Sequence, residues 1–508
     1  MTRTENSTKN MYTGIINQFL TLIFRFITRT VLIRYLGTEF LGINGLFSNI
    51  LTMLSLADLG IGSALVYALY KPIAENDYER QTIIINYMQK AYRTIGIIII
   101  GIGILISPFL SYIIKEKVTI INIYIVFFMY LFQTASTYLF FPSRIEFLGA
   151  NQKRYIYNNI NSIFIILSNI FQIIILIIFR NFYLYLITII LFNVIQEFII
   201  ATITEKKYSF IKDTPKKPLS KEEKKDIFKD CGALMIYRTN YVILTATDNI
   251  IISKYIGLIA VGLYSNYLLV TNSITNLLNI FFNSITASIG NLHVYNEKEK
   301  EYFIFKTINF ITVILFGISC VGIYTLINNF ITIWIGEEYL LSKSFVIIIT
   351  INLYVEGLRK LLATYRTSYG LFRQAKIIPI VGALTNIVIS IILVQKIGIF
   401  GVLLGTLISN LISFMWYDPL LIYKKVFNKN VLSYYISNIL YMLLFVCISI
   451  ICEKVCKLIA INGLLGFLIH GIICVIMSLI IIVIVFSRTK YFTYLKEIIN
   501  KILKKEVK

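Results

Sequence analysis

Histidine and acid are scarce in this chain: 2 His and 26 Asp+Glu stand among 508 residues, against 48 Lys+Arg. Only 15% of residues are charged. A soluble domain averages about 25%, so the low charge excludes one. The two histidines are far apart in the chain, and the six cysteines fall mostly in apolar runs. Cys452 and Cys456 lie one helical turn apart, but no histidine or acidic cluster completes a metal site there. A phosphate-binding Walker loop, a zinc motif and a Ser/His/Asp grouping with adequate spacing are also missing. These gaps leave little room for enzyme chemistry.

What fills the chain is hydrocarbon. It is 57% hydrophobic with mean hydropathy +0.77. Runs long enough to cross a roughly 30 Å bilayer core, about 20 residues each, recur from end to end. The expected spans are 11–36, 41–69, 91–114, 118–141, 156–179, 182–204, 231–254, 260–289, 304–333, 344–368, 376–395, 399–423, 433–456 and 463–486. The fold class is therefore an all-α polytopic membrane protein of about 14 helices.

The net charge of +22 reads as topology and excludes a nucleic-acid partner. With the N-terminus cytoplasmic and the spans alternating, 34 Lys and Arg fall at the cytoplasmic side, 9 at the outer side and 5 within spans. That is the positive-inside pattern. It places both termini in the cytoplasm. The longest break, Glu205 to Asp230, carries Pro215 and Pro218 and then Ser220-Lys-Glu-Glu223, a capping-box pattern opening a short helix.

The chain repeats itself. Arg34-Tyr-Leu-Gly37 answers Lys254-Tyr-Ile-Gly257 at offset 220, and Gly45-Leu-Phe-Ser-Asn49 answers Gly262-Leu-Tyr-Ser-Asn266 at offset 217. Gln152 and Ser168 answer Gln374 and Ser390 at offset 222. Each repeat holds six spans, an even number, so both keep one orientation and are related by an axis along the membrane normal. The expected organisation is an N-terminal lobe over 1–204, a cytoplasmic linker over 205–230 and a second lobe over 231–428. Two further spans over 429–487 and a basic cytoplasmic tail over 488–508 complete it.

Polar groups inside spans mark the candidate site. A charge in hydrocarbon costs roughly 2.5–3.5 kcal/mol on insertion scales, so it usually faces a partner or a watery cavity. Arg25 and Arg29 recur at helical spacing with Gln18, Thr21 and Thr28 on span 1. Arg238, Thr245, Asp248 and Asn249 do the same on span 7. Span 8 carries Asn272, Asn276, Asn279 and Asn283, a face that lines a cavity or bonds to other helices. Ser48, Thr52 and Ser55 form a milder stripe on span 2, with Asp58 beyond. Glu356 precedes Arg359 and Lys360 by three and four residues, which fits either a neutralised intrahelical pair or a coupling-ion carboxylate. Arg29 and Asp248 share a depth by the repeat register, as a static bridge or as a switching pair. The candidate substrate-binding residues are thus Arg25, Arg29, Arg238, Asn272, Asn276, Asn279 and Asn283. The candidate coupling residues are Asp248, Asp58 and Glu356.

The segment Arg29 to Leu51, with Leu54-Ser-Leu-Ala-Asp58-Leu-Gly-Ile-Gly62 and Leu69-Tyr-Lys-Pro72, resembles Wzx-type oligosaccharide flippases. So do Thr247-Asp-Asn-Ile-Ile-Ile-Ser253, Gly262-Leu-Tyr-Ser-Asn-Tyr267 and Ser288-Ile-Gly-Asn291. The resemblance covers nearly the whole chain. It implies the two-lobed fold of the multidrug/oligosaccharidyl-lipid/polysaccharide superfamily, with spans 1, 2, 7 and 8 lining a central cavity. It implies transport of a polyprenyl-pyrophosphate-linked oligosaccharide from the inner to the outer leaflet of a bacterial plasma membrane, coupled to H+ or Na+ and without a bound cofactor. Cavity arginines of that family correspond to Arg25, Arg29 and Arg238. The implied partners are membrane lipids and the polymerase and glycosyltransferases of the same pathway. Two rivals stand beside it. A multidrug exporter of the superfamily would call for acidic cavity residues. A polysaccharide polymerase or ligase would carry a large outer loop, and the outer loops here are roughly 5–10 residues long.

Overall fold

The computed structural model describes residues 3–58, 60–115, 120–213, 218–228, 242, 246–295, 298–371, 374–375, 377–459 and 461–506. Among these the secondary structure is helical, with no strand. Two compact units divide the chain, Met1–Gly262 and Leu263–Lys508.

The first unit opens with α1 (Arg3–Leu36) and α2 (Thr38–Leu54). A 3-10 turn over Ser55–Asp58 and a left-handed Gly60 (φ 78°) separate α2 from α3 (Ile61–Ala74). The expected second span is therefore a broken helix. Asp77 caps α4 (Tyr78–Ile106), its carboxylate accepting from the Arg80 amide at 2.8 Å. After the short α5 (Leu110–Ile113), Asn122 caps α6 (Ile123–Leu139) by accepting from the Tyr124 and Ile125 amides. A 49° bend then leads into α7 (Pro142–Ala150), whose proline at the first turn lacks the amide that the bend would orphan. Helices α8 (Arg154–Ile178) and α9 (Phe182–Lys207) follow, then α10 (Lys221–Phe228) and α11 (246–255).

The second unit is mostly α12 (Leu258–Tyr295), α13 (Lys298–Trp334), α14 (Lys343–Ser368) and α15 (Ile378–Ile412). Non-helical backbone at Ile397 and Gly398 kinks α15, so two expected spans run nearly end to end. α16 (Phe414–Ile422) passes through a π-turn before α17 (Leu432–Leu458) and α18 (Gly463–Phe486). The basic tail, expected only as a charged stretch, forms α19 (Lys490–Glu506). Its Tyr491 and Tyr494 rings pack on Phe303 of α13 at 5.7 and 5.2 Å.

Among the described residues, seven helices are long and apolar enough to cross a membrane, or eight when the bent α6–α7 pair is one span. The chain is a multi-pass membrane protein. The division into fourteen does not map one for one onto these helices. α1 and α12 are long but carry polar faces, α2–α3 is broken, and most of span 7 lies outside the described residues.

The repeat survives in three dimensions. Gly37 (φ 94°) ends α1 and Gly257 (φ 133°) ends α11, each in backbone that L side chains rarely adopt. Both amides close the helix ends, Gly37 onto Ile33 O four residues back at 2.9 Å and Gly257 onto Ile252 O five residues back at 3.0 Å. A second correspondence lies in the ion pairs. Arg144 and Arg366 lie 222 residues apart, the offset of the Gln152/Gln374 pair. Arg144 Nη2 donates to Glu205 at 3.0 Å, tying α7 to α9. Arg366 donates to Asp418, tying α14 to α16. Each unit thus carries an arginine–carboxylate clamp whose arginine stands at the repeat offset.

Candidate functional site

α1 was expected to present one polar stripe to a cavity. It presents two faces. One is a ladder onto α8 and α9: Asn10 Nδ2 donates to Gln152 O at 2.9 Å, Asn158 Nδ2 to Thr13 Oγ1 at 3.1 Å, Asn161 Nδ2 to Asn17 Oδ1 at 3.1 Å and Gln196 Nε2 to Asn161 Oδ1 at 3.0 Å. Thr28 belongs to this ladder, donating to Asn169 Oδ1 at 2.6 Å. Side-chain amides that lipid cannot satisfy hold the helices together here. The other face keeps Gln18 and Arg25 exposed, with Arg29 half-buried at its edge.

Arg29 leads to a polar groove inside the first unit. The Tyr185 hydroxyl on α9 is in electrostatic reach of both the Arg29 guanidinium and the Tyr130 hydroxyl on α6. Tyr130 donates to Asn44 Oδ1 on α2 at 2.5 Å. Asn44, Ser48, Thr52 and Ser55 line one wall of an open groove of about 360 Å³. They fall at steps of four, four and three, so one helix face carries them. Gln133, Thr134, Thr137 and Tyr138 of α6 form the second wall, and Asn193 of α9 closes the third side. Ring contacts brace the walls: Phe47 of α2 meets Tyr130 at 5.8 Å, and Phe40 meets Phe182 at 5.0 Å. The sequence flagged the α2 wall. The α6 and α9 walls were missed because single neutral residues among aromatics give no charge signal.

The remaining candidates scatter. Asp248 is buried on α11, 5% exposed, between Thr247 and Asn249, which are also buried. Asp58 is half-buried in the 3-10 break, in electrostatic reach of Tyr138 at the end of the groove. In the second unit Asn272 and Asn276 are exposed on α12. Asn279 is half-buried, with an amide oxygen that finds no hydrogen-bond partner. Glu356 is half-buried on α14. Arg359, one turn on, donates to Asn410 Oδ1 at 2.8 Å and stacks over Phe414, while it and Lys360 stay in electrostatic reach of Glu356. Arg238 and the Asn283 side chain lie outside the described residues. The structure thus brings Arg29 and the α2 stripe into one unit beside each other. Among the described residues, no group of three or more His, Cys, Asp or Glu is placed to hold a metal ion.

The side chains of this neighbourhood are of types that can bind an anion and recognise hydroxyls. A guanidinium offers forked, charge-assisted hydrogen bonds to phosphate oxygens. Amides and hydroxyls offer both donors and acceptors.

Comparison with known proteins agrees with the fold. The lipid II flippase MurJ in an inward closed conformation superposes with TM-score 0.65, covering 94% of this chain and 98% of its own at 18% identity. An inward-facing multidrug resistance MATE family transporter of the MOP superfamily gives TM-score 0.59 over 78% of this chain and 93% of its own at 15% identity. A Vibrio cholerae MATE transporter gives 0.58, over 84% and 99%, at 14% identity. No curated protein sequence matches the chain. At these identities the likeness shows the fold, that of flippases and transporters. The sequence profile of the family described as polysaccharide biosynthesis protein matches residues 7–288, more than half of the chain, and the chain belongs to that family.

Proposed function

We propose that this protein moves a polyprenyl-pyrophosphate-linked oligosaccharide from the inner to the outer leaflet of a bacterial plasma membrane, for surface polysaccharide biosynthesis. The observation that carries the reading is the face of α1 that keeps Arg25 exposed and Arg29 half-buried, within the first apolar run of the sequence. Two guanidiniums in an apolar run suit an anionic substrate, since a charge there usually faces a partner or a watery cavity. A pyrophosphate supplies it. The α2–α6–α9 groove next to Arg29 supplies hydroxyl partners. Transport proceeds by alternating access coupled to H+ or Na+, with Asp248, Asp58 and Glu356 as the carboxylates available for coupling. Arg238 and the α12 asparagines are assigned to the substrate path. Both termini are cytoplasmic, as the basic asymmetry requires.

A multidrug exporter has the same fold, but cationic drugs would be repelled by Arg25 and Arg29. The test is a strain lacking its own copy of this protein and complemented with variants. Loss of surface polymer, with lipid-linked sugar accumulating on the inner leaflet, is the expected outcome for Arg25→Ala with Arg29→Ala. Unchanged polymer with lost drug resistance would favour the exporter.

A further inference from the structure

We infer that the groove between α2, α6 and α9 is the surface that reads the sugar part of the substrate, and that it accepts uncharged sugars. The inference rests on the flippase reading and deepens it. Ten of the twelve residues lining the groove carry hydroxyls or amides, and none carries a formal charge. The other two are Leu51 and Ile189. Its volume of about 360 Å³ lies within the range of small-molecule sites. Neutral donors and acceptors beside tyrosine rings match a pyranose, which has hydroxyls at its edge and apolar C–H faces.

The groove also has a direction. Its Tyr130 corner lies toward Tyr185 and Arg29, and its Tyr138 corner lies toward Asp58. From Asn44 on α2 to Ser55 in the turn that follows it, the wall is eleven residue steps long, about 16 Å of helix. The arrangement therefore runs from cation through a neutral stretch to a carboxylate. A pyrophosphate at the Arg29 end sends its sugars along the neutral stretch. A uronic acid in that stretch meets no basic partner from the lining and approaches Asp58. The charge pattern thus selects against acidic sugars.

Two walls of the groove come from α6 and α9, and on α9 the buried Glu197 sits one turn beyond Asn193. Their residues Gln133 and Asn193 are half-buried, so they are accessible to a ligand yet held in place. Removing both amides, Gln133→Ala with Asn193→Ala, lowers export of an uncharged repeat unit about tenfold through the lost hydrogen bonds.

The test places the photo-crosslinker p-benzoylphenylalanine at Thr134, at Asn193 and, as control, at Ile195 on the opposite face of α9. Cells feeding tritiated glucose into their lipid-linked oligosaccharides are irradiated, and the full-length protein is purified. Label on the protein from the first two positions and not from Ile195 supports the inference. Equal label at all three positions overturns it. So does an unlabelled groove in a protein that still exports polymer, and in that case the flippase reading stands. Normal surface polymer from Arg25→Ala with Arg29→Ala overturns the flippase reading itself. Equal export of a uronic-acid repeat and its neutral counterpart by the unaltered protein overturns the selection for uncharged sugars.

Discussion

The Tyr130 hydroxyl donates to the Asn44 amide oxygen at 2.5 Å, joining α6 to α2 at the mouth of the groove. Tyr130 is buried and Asn44 is half-buried. The bond fixes the amide so that its NH2 group is the part left to donate. Tyr130→Phe keeps the ring packing on Phe47 and removes only the hydroxyl. It should cost about 1 kcal/mol of stability, a typical net value for such a bond. Export of polymer should fall by more than thermal stability in detergent does. Equal small losses in both would assign the bond to packing alone.

Ser220 and Glu223 form a reciprocal capping box: the Ser220 amide donates to Glu223 Oε2 at 2.7 Å and the Glu223 amide to Ser220 Oγ at 3.2 Å. Arg80 Nη2 adds a 2.6 Å bridge to the other carboxylate oxygen, docking α10 on α4. The backbone bond from Ser220, with Arg80 second, holds the Glu223 carboxyl below its ordinary value of 4.5. A carboxyl depressed on folding stabilises above its unfolded value, and that contribution is lost as pH falls through the folded one. Amide-exchange protection over residues 221–228, taken against the intrinsic rate at each pH, should therefore be high at neutral pH and fall below about pH 4.5. Glu223→Gln should quicken exchange at neutral pH and remove the acid dependence.

The two clamps at offset 222 differ in burial. Asp418 is 0% exposed and the Arg366 side chain 8%, while Arg144 and Glu205 are 11% and 19% exposed. Arg366→Ala leaves a carboxylate buried without its cation, which costs about 3–5 kcal/mol. Arg144→Ala leaves Glu205 nearer water and with Lys212 at 3.8 Å, and costs about 1 kcal/mol. Thermal unfolding of the purified variants should rank them in that order. Adding Asp418→Asn to Arg366→Ala should recover part of the loss.

Asp248 is buried in the same compact unit as Arg29. If it carries the coupling ion, Asp248→Asn should express normally and lose or alter the dependence of export on pH or sodium. If it is a fixed structural partner, the same variant should express poorly, and the swap Arg29→Asp with Asp248→Arg should restore function. Export assayed across sodium and pH gradients separates the two.

Strong local signals were legible in the sequence. The capping box at Ser220 and Glu223 and the turn glycines Gly37 and Gly257 follow from backbone geometry that only certain residues satisfy. Helix breaks were not legible. Ser55–Asp58 sits in an apolar run, and hydropathy counts composition without sensing where i to i−4 bonding fails. The α1 stripe was read as one face because Thr28 and Arg25 share helical spacing, yet Thr28 turns to Asn169. Which polar residue meets a neighbouring helix is decided by packing, and packing has no period in a single sequence. Arg144 and Arg366 were visible through the repeat offset but lay near span ends, where basic residues are common. Gln133 and Asn193 became visible only when three helices came together.

The central claim is that the arginine face of α1 holds a pyrophosphate. The most direct measurement is the leaflet distribution of lipid-linked oligosaccharide in cells expressing Arg25→Ala with Arg29→Ala at normal level. The account predicts accumulation on the inner leaflet and loss of surface polymer, with Arg25→Lys impaired less because an ammonium keeps the charge but not the fork. Normal distribution and normal polymer in the double variant would contradict it.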